Sequence, residues 1–480
     1  MSPHSYDELF IQIVDYVFDT PITSDLAFKT AYLALMDSLA CATLALQVPQ
    51  CTALLGPIVP ETSVPQGARV PGTAFVLDPI KAAFDIGTCI RWLDYNDTWL
   101  AKEWAHPSDN LGAILAVGDY LSNRTRTPRL TVRDLLEAMI KAYEIQGILA
   151  LENSFNQVGL DHVILVKVAS SAVISKWLGL SKLETAAVLS HAFIDGNSLR
   201  TYRHAPNTGP RKSWAAGDAA SRAVFLAWLV KQGQTGYTTA LTAKHWGFHD
   251  VLFREQRLTL AKPLSSYVME NILFKVAYPA EFHAQTAVEA AFKLHPMIQQ
   301  RMSEIDTIVI ETQAPAMRII DKIGPLVNYA DRDHCLQYMV AVALIYGDLK
   351  PEYYEDNTAK DPRIDRLRDK MRLVENPEFS QNYLDPSMRS IANSIQIFFK
   401  EGTQSEKVII EYPLGHKRRR EEASSHLRRK YEMAISSYYQ GKERQDLLAL
   451  YDDSNANEEK ISRLSIAEFI SKFVKGKHAG

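Results

Sequence analysis

The sequence predicts a multidomain α and α+β protein, in which a large helical domain is interrupted by a smaller α+β domain. From about residue 10 to residue 260, apolar residues recur at helical spacing and turn residues are widely separated. After Pro263 the chain contains β-branched segments, and helical spacing returns after Arg420. We therefore expect residues 1–270 and 418–480 to form one discontinuous domain, and residues 271–417 to form the insert.

Several long segments of the helical domain have the apolar periodicity of helices of several turns. In chain order they are residues 132–148, 161–178, 182–194 and 211–232, followed beyond the insert by 421–439 and 466–474. Thr131 precedes the first of them and Asp134 follows three residues later, which is the pattern of a capping box.

The insert has the composition of strands around a helix. Residues 305–312, Ile-Asp-Thr-Ile-Val-Ile-Glu-Thr, are β-branched and partly alternating, which favours a strand. Residues 394–413 contain two further β-branched runs around the turn-like sequence Lys-Glu-Gly-Thr-Gln-Ser-Glu, which predicts a hairpin. Residues 334–346 form an apolar stretch that predicts a helix. A cleft between two such domains is a usual place for a small-molecule site.

Composition excludes several classes of protein. The 480 residues are 46% apolar and 23% charged, as in ordinary globular proteins, and 53 Lys and Arg against 56 Asp and Glu leave no cationic excess for nucleic acid. The longest uncharged stretch, residues 38–60, contains three prolines, so we expect no membrane span. The first residues lack the features of a secretory signal, so we expect a cytoplasmic protein.

The cysteines predict reduced, buried thiols. Cys41, Cys51, Cys89 and Cys335 are scattered and form no Cys-x-x-Cys pair. The chain therefore has no recognisable ligand set for an iron–sulfur cluster or for a structural zinc ion.

The segment 91–99, Arg-Trp-Leu-Asp-Tyr-Asn-Asp-Thr-Trp, carries the first candidates for chemistry. If it lies at a helix end, Asp94, Asp97 and Thr98 share one face. Two neighbouring carboxylates can hold different protonation states, which suits acid and base catalysis. A helix cap or a salt-bridged face would have the same pattern. His106 follows shortly before a predicted helix, either as a titrating acid or base or as a hydrogen-bonded loop residue.

A basic loop at residues 200–214 is the second candidate. It places Arg200, Arg203, Arg211 and Lys212 together with His204 among Pro and Gly residues, ahead of a long helix. Functional residues are frequent in such loops, and guanidinium and ammonium groups bind carboxylates. The loop therefore fits a polycarboxylate substrate, and a solvated basic loop is the alternative.

The insert and its end contribute further candidates. Glu281 and His283 follow Tyr278-Pro279 near the predicted boundary, where an ordinary interdomain turn is the alternative. Tyr338 lies at the start of an apolar helix, where packing is the alternative to chemistry. The run 417–420, Lys-Arg-Arg-Arg, predicts either a solvated loop or a cluster that attracts an anion.

Taken in order, these motifs resemble the markers of the MmgE/PrpD family over nearly the whole chain. The matching segments are residues 94–98, 106–108, 212–217, 278–279 and 412–416. Within the family, residues 200–209, 279–283 and 415–420 look most similar to the bacterial members that dehydrate 2-methylcitrate.

The resemblance implies a large all-helical domain with a smaller α+β lid domain, in a cytoplasmic homodimer without an iron–sulfur cluster. It implies a hydro-lyase of the methylcitrate cycle of propionate catabolism, which converts 2-methylcitrate to 2-methyl-cis-aconitate with some side activity on citrate. Another lyase or isomerase of the family, such as a cis-aconitate decarboxylase, and a non-catalytic tricarboxylate-binding protein are the alternatives.

The resemblance also assigns residues. The catalytic residues it implies are Asp94, Thr98, His106, Lys212 and Tyr338. The substrate-binding residues we expect are Arg203, His204, Arg211, Glu281 and His283. One position departs from the related decarboxylases, which look to have a histidine where this chain has Glu281, with His283 two residues further on.

Overall fold

The computed structural model describes residues 5–124, 129–204, 206–385, 387–451 and 455–475, without the side chains of 455–458. The chain divides into two compact units. The first contains residues up to 202, residues 211–273 and residues from 427 onward, and the second contains residues 203–210 and 274–426. The sequence placed these boundaries at residues 270 and 417, and it did not predict that 203–210 belongs with the second unit. The predicted multidomain α and α+β class is confirmed.

The first unit begins as a series of helices. They are α1 (Glu8–Asp19), α2 (Asp25–Ala45), α3 (Pro49–Thr52), α4 (Pro79–Arg91), α5 (Leu111–Ser122), α6 (Val132–Glu152), α7 (Val163–Trp177), α8 (Lys182–Ile194), α9 (Arg211–Lys231), α10 (Phe248–Val251) and α11 (Tyr267–Glu270). The capping box of Thr131 and Asp134 at the start of α6 is confirmed. Helix α7 forms the centre of the unit, because every residue from 163 to 175 is buried.

Two short antiparallel ribbons accompany these helices. Strand β1 (Ala68–Arg69) pairs with β2 (Val76–Leu77), and β3 (Trp99–Leu100) pairs with β4 (Trp104–Ala105). The sequence did not predict them, because strands of two residues have no periodicity. Along the chain, the ribbon of β3 and β4 lies directly between the candidates Thr98 and His106.

Helices α4 and α9 approach each other closely through glycines. A Cβ atom on Gly87 would lie 2.8 Å from the Cα atom of Gly217, and a Cβ atom on Gly217 would lie 2.5 Å from the carbonyl oxygen of Phe84. Both distances are shorter than any real Cβ contact. These glycines therefore allow the two helices that carry Arg91 and Lys212 to pack backbone against backbone.

The second unit contains a four-stranded mixed sheet. Its strands are β5 (Ile305–Thr312), β6 (Met371–Glu375), β7 (Asn393–Phe399) and β8 (Val408–Ile410), in the order β6-β5-β7-β8. Its helices are α12 (Gln285–Ile298), α13 (Ala314–Ile319), α14 (Tyr329–Arg332), α15 (Leu336–Tyr346), α16 (Asp356–Ala359), α17 (Pro362–Arg368) and α18 (Pro377–Leu384).

Most of this sheet was predicted. The strand over 305–312 and the hairpin of β7 and β8, which pairs Ile395 with Val408, are confirmed. Strand β6 was not predicted, since Met-Arg-Leu-Val-Glu is short and half polar. It pairs in parallel with β5, so that Ile308 lies opposite Met371. A core of apolar side chains from α12, α15 and the sheet holds this unit together.

The chain then returns to the first unit through α19 (Arg420–Tyr438), followed by α20 (Gly441–Leu448), α21 (Asn455–Ser462) and α22 (Ile466–Ser471). Ser465 and Glu468 form a capping box at the start of α22. No helix within the described ranges is both long enough and apolar enough to cross a bilayer.

Candidate active site

The segment that follows α4 leaves the helix instead of extending it. Asp78 caps the start of α4, the helix ends at Arg91, and Asp94 adopts a positive φ of 49°. Thr98 then pairs with Leu273, its N–H donating to the Leu273 carbonyl over 2.8 Å. The prediction that Asp94, Asp97 and Thr98 share a helix face was wrong, because the turn at Asp94 gives the two carboxylates different surroundings.

Arg91 holds two of the predicted catalytic residues together. One guanidinium nitrogen donates to Asp94 Oδ1, and the other lies 3.1 Å from His106 Nε2. The distance between His106 Nε2 and Asp94 Oδ1 is 3.9 Å. All three side chains are at most 10% exposed. The structure therefore brings an acid, an imidazole and a cation into one buried cluster, in which the charges of Asp94 and Arg91 compensate each other.

A backbone contact fixes the tautomer of His106. Its Nδ1 lies 2.8 Å from the carbonyl oxygen of Asp97, which can accept a hydrogen bond but has no proton to donate. In the neutral ring the proton therefore belongs on Nδ1, and Nε2 accepts from Arg91. This arrangement leaves Nε2 as the basic atom of the ring.

Asp97 supports the turn that carries His106. Its Oδ1 accepts from the Ser108 N–H over 3.0 Å and from the Ser108 hydroxyl over 2.7 Å, and its Oδ2 accepts from the Tyr143 hydroxyl over 2.6 Å. Burial raises the pKa of Asp97 to about 6, although these donors oppose the shift. Three donors occupy the carboxylate, so Asp97 orders the turn.

The other predicted residues of the first unit have different surroundings. Thr98 is buried, and its hydroxyl donates to the Ala105 carbonyl over 3.1 Å. Lys212 is 4% exposed in the first turn of α9. Arg211 beside it is partly exposed, pairs with Asp218 at 2.9 Å and lies over the Trp214 ring.

In the second unit the structure joins Glu281 and His283. Glu281 Oε1 lies 2.8 Å from His283 Nδ1, and His283 Nε2 lies 3.2 Å from the Tyr383 hydroxyl. Burial alone would raise the pKa of Glu281, but the facing His283 brings it below its ordinary value. The three side chains form a hydrogen-bonded row, and no motif in the sequence indicated its third member, Tyr383.

Tyr338 and the basic segments of this unit have other contacts. The Tyr338 hydroxyl donates to the Tyr353 carbonyl over 2.7 Å, and its ring lies in the apolar core, as the packing alternative describes. Arg203 is half-buried and His204 is exposed, whereas Ala205 of the same loop lies outside the described residues. In the 417–420 run, Arg419 pairs with Glu289 at 2.9 Å.

Sequence reasoning missed Arg91 and His162. Arg91 stood in the segment singled out for its acids, but only the fold directs its two nitrogens at Asp94 and His106. The His162 ring is buried with its centroid 5.7 Å from that of His106, and its Nδ1 lies 3.6 Å from Asp161 Oδ1. A polar Asp-His pair at the start of an otherwise apolar helix could have indicated it.

A second group of buried charges surrounds Arg200. Its Nη1 lies 3.8 Å from Glu103 Oε1 and 3.9 Å from Asp161 Oδ2. Glu103 is fully buried, and its Oε2 accepts from the Asn156 N–H over 2.7 Å. Burial raises the pKa of Glu103 to about 7, although Arg200 and Asn156 oppose the shift.

This shift predicts a pH-dependent effect of Glu103→Gln. The folded chain holds the Glu103 proton more tightly than the unfolded chain, so the stability that this group contributes is full below pH 4.5 and is lost as pH rises to about 7. Gln is neutral throughout and keeps an oxygen acceptor for Asn156. The free energy of unfolding of the variant, measured relative to that of wild type, should therefore rise by roughly 3 kcal/mol between pH 4.5 and pH 8. Urea unfolding midpoints at pH 5 and pH 8 measure this gain, and an equal difference at both pH values would contradict it.

Metal ligands are not grouped in the part of the chain that the structure describes. Those residues contain no set of three or more His, Cys, Asp or Glu side chains arranged to hold an ion. Cys41, Cys51, Cys89 and Cys335 are all buried free thiols, as the sequence predicted.

Comparison with known proteins assigns both halves of the chain. Residues 11–261 match the MmgE/PrpD N-terminal domain, and residues 278–454 match the MmgE/PrpD C-terminal domain. The chain is 52% identical to the 2-methylcitrate dehydratase of Escherichia coli K12, over 98% of both chains. It is 53% identical to that of Cupriavidus necator over 97% of both chains, and 52% identical to the mitochondrial one of Yarrowia lipolytica over 98% of this chain and 90% of that protein. With both domains matched and relatives similar over at least 90% of their length, this chain belongs to the MmgE/PrpD family.

Proposed function

We propose that this chain is a 2-methylcitrate dehydratase, a hydro-lyase that removes water from 2-methylcitrate to give 2-methyl-cis-aconitate. One observation carries the proposal: the chain is 52% identical over 98% of its length to an enzyme of that name. The buried cluster of Arg91, Asp94 and His106 supports it, because an elimination of water needs a base and an acid side by side.

The reaction moves one proton and one hydroxyl group. The C3–H bond, next to a carboxylate, loses its proton to a base, a double bond forms between C2 and C3, and the C2 hydroxyl leaves as water after taking a proton. We assign the base to His106 Nε2, because Nδ1 already donates to the Asp97 carbonyl. In this step Nε2 exchanges its hydrogen bond from Arg91 for the C3 proton. We assign the acid to Asp94, which is ionised beside Arg91 before the reaction: its Oδ1 lies 3.9 Å from Nε2, receives the C3 proton from His106 and passes it to the departing hydroxyl, so that both groups end as they began.

Cations must stabilise the charge that develops on the substrate carboxylate as the C3 proton leaves. Lys212 is our first candidate, because its buried position strengthens its electrostatic effect. Arg91, which belongs to the buried cluster, is the second candidate. Arg203, Arg211, His204, Glu281 and His283 stay predictions as substrate-binding residues.

We further propose that the enzyme works without a metal ion or iron–sulfur cluster, as a cytoplasmic homodimer in the methylcitrate cycle of propionate catabolism. The dispersed cysteines support the first point. Side activity on citrate is expected, because one methyl group contributes only about 1–3 kcal/mol to discrimination in an apolar pocket.

Absorbance of the unsaturated tricarboxylate product tests this function. Chelator-treated protein should produce the signal rapidly from 2-methylcitrate and more slowly from citrate. A signal that appears only after iron or another metal is added would contradict the metal-independent mechanism. Folded protein that yields no product from 2-methylcitrate, but releases carbon dioxide from cis-aconitate, would be a decarboxylase instead.

A further inference from the structure

A completely buried ion pair lies beside the candidate active site. Lys430, on α19, and Asp37, on α2, are separated by 2.7 Å between Nζ and Oδ1, and each side chain is 1% exposed. Neither residue belongs to a motif that the sequence singled out, and none of the proposed catalytic steps uses them.

The same ammonium group also holds the candidate segment. Lys430 Nζ donates to the backbone carbonyl of Tyr95 over 2.7 Å, across a separation of 335 residues in the chain. It also lies 3.6 Å from the centroid of the Tyr95 ring. That ring packs with Cys41 and Leu93 in a small buried apolar cluster. Lys430, in the C-terminal part of the chain, therefore contacts both the backbone and the side chain of Tyr95.

Tyr95 is the immediate neighbour of a backbone position that needs support. Asp94 has a φ of 49°, in the left-handed region that residues other than glycine adopt infrequently, although Asp does so more often than most. The Asp94 carboxylate must keep this conformation to contact Arg91 and to stay 3.9 Å from His106. A donor fixed on the next carbonyl opposes the rotation that would release the turn.

Stability alone does not explain a charged pair at this place. Removing two charges from water is costly, and replacing a buried pair by apolar residues of similar size is often neutral or stabilising. An apolar pair could fill this space but could not donate to the Tyr95 carbonyl. The distinguishing property of the pair is therefore its third contact.

We propose that Lys430 and Asp37 are positioning residues for catalysis: Asp37 orients the Lys430 ammonium, and the ammonium holds the Tyr95 carbonyl so that Asp94 faces Arg91 and His106. This inference rests on the proposed dehydratase function and deepens it. It assigns a positioning role in the active site to helix α19, which lies more than 300 residues after Asp94 in the chain.

Two variants separate the carbonyl contact from the ion pair. The double variant Asp37→Leu with Lys430→Met removes the charges and the donor together, whereas Asp37→Asn removes the ion pair but keeps the donor to Tyr95. We expect the double variant to lose roughly ten- to a hundredfold in kcat with little change in KM, because a small misplacement of catalytic groups has effects of that size. Asp37→Asn should lose much less.

A matched control is the pair Arg69 and Asp119, 2.6 Å apart in the same unit, in which Arg69 donates to the Ala467 carbonyl. Arg69→Met with Asp119→Asn should leave kcat unchanged. Amide hydrogen exchange of residues 92–100 is the second readout, and it should accelerate in the Lys430 double variant and stay unchanged in the control.

The outcomes distinguish the two proposals. A double variant with wild-type kcat and wild-type exchange over 92–100 would overturn the positioning role. A wild-type chain without activity on 2-methylcitrate would overturn the proposed function, and the exchange experiment would then decide the positioning role. If the double variant does not fold, Asp37→Asn takes its place and should show a small loss of kcat and faster exchange over 92–100. Values of both that equal those of the Arg69 control would then overturn the proposal.

Discussion

Replacing His106 with Asn is expected to lower kcat for 2-methylcitrate by roughly 10²–10⁴-fold, the usual contribution of a positioned acid or base. The Asn side chain can place an N–H where Nδ1 donates to the Asp97 carbonyl, so the turn keeps its anchor. It has no atom in place of Nε2, which is the basic atom of the neutral ring. The variant therefore removes the base while leaving the local fold in place.

Isotope exchange at C3 identifies the step that is lost. In heavy water the wild-type enzyme should exchange the C3 proton of 2-methylcitrate, and the His106→Asn variant should not. His249→Gln is the matched control, since His249 is a buried histidine of the same unit whose Nε2 accepts from the Leu258 N–H over 3.2 Å, and the Gln amide oxygen can accept in its place. Normal exchange in His106→Asn together with slow product formation would show that His106 is the acid and that Asp94 is the base.

Replacing Arg91 with Met is expected to reduce kcat by about two orders of magnitude or more and to destabilise the first unit. Asp94 would keep a buried charge without its cation, and breaking a buried pair in this way costs about 3–5 kcal/mol. His106 would also lose the donor to its Nε2. The thermal midpoint and kcat, measured on the same preparation, should both fall.

Arg91→Lys is the sharper form of this experiment. The two guanidinium nitrogens contact Asp94 and His106 separately, and a single ammonium group cannot reproduce a planar fork. We expect Arg91→Lys to recover part of the stability lost in Arg91→Met, because the charge is restored, but little of the activity. Full activity with Lys at this position would mean that the charge of Arg91 matters and its geometry does not.

Local patterns were sufficient for most of the fold. The capping box at Thr131, the helix α8 and the strand over 305–312 follow from spacing within a few residues, and the structure has them at the predicted positions. The short strand β6 was beyond such patterns, because its pairing with β5 and not its composition makes it a strand.

The candidate site shows the same division. The sequence pointed to Asp94 and His106, since a carboxylate and a histidine in marked motifs are visible without a fold. It placed Asp94 and Asp97 on one helix face, and the positive φ at Asp94 separates them. It also pointed to Tyr338, whose hydroxyl donates to the Tyr353 carbonyl in the structure, and the catalytic role of Tyr338 stays a prediction.

The sequence by itself determined the class of fold, the main helices and strands, the family and the residue types available for catalysis. The tertiary structure decided that Arg91 joins Asp94 to His106, that Asp97 supports the turn, and that Lys430 reaches Tyr95 across 335 residues. Periodicity and helix caps act between residues a few positions apart, so they are visible in the chain. Contacts between distant segments depend on how helices pack, because only packing brings their polar atoms within hydrogen-bond distance.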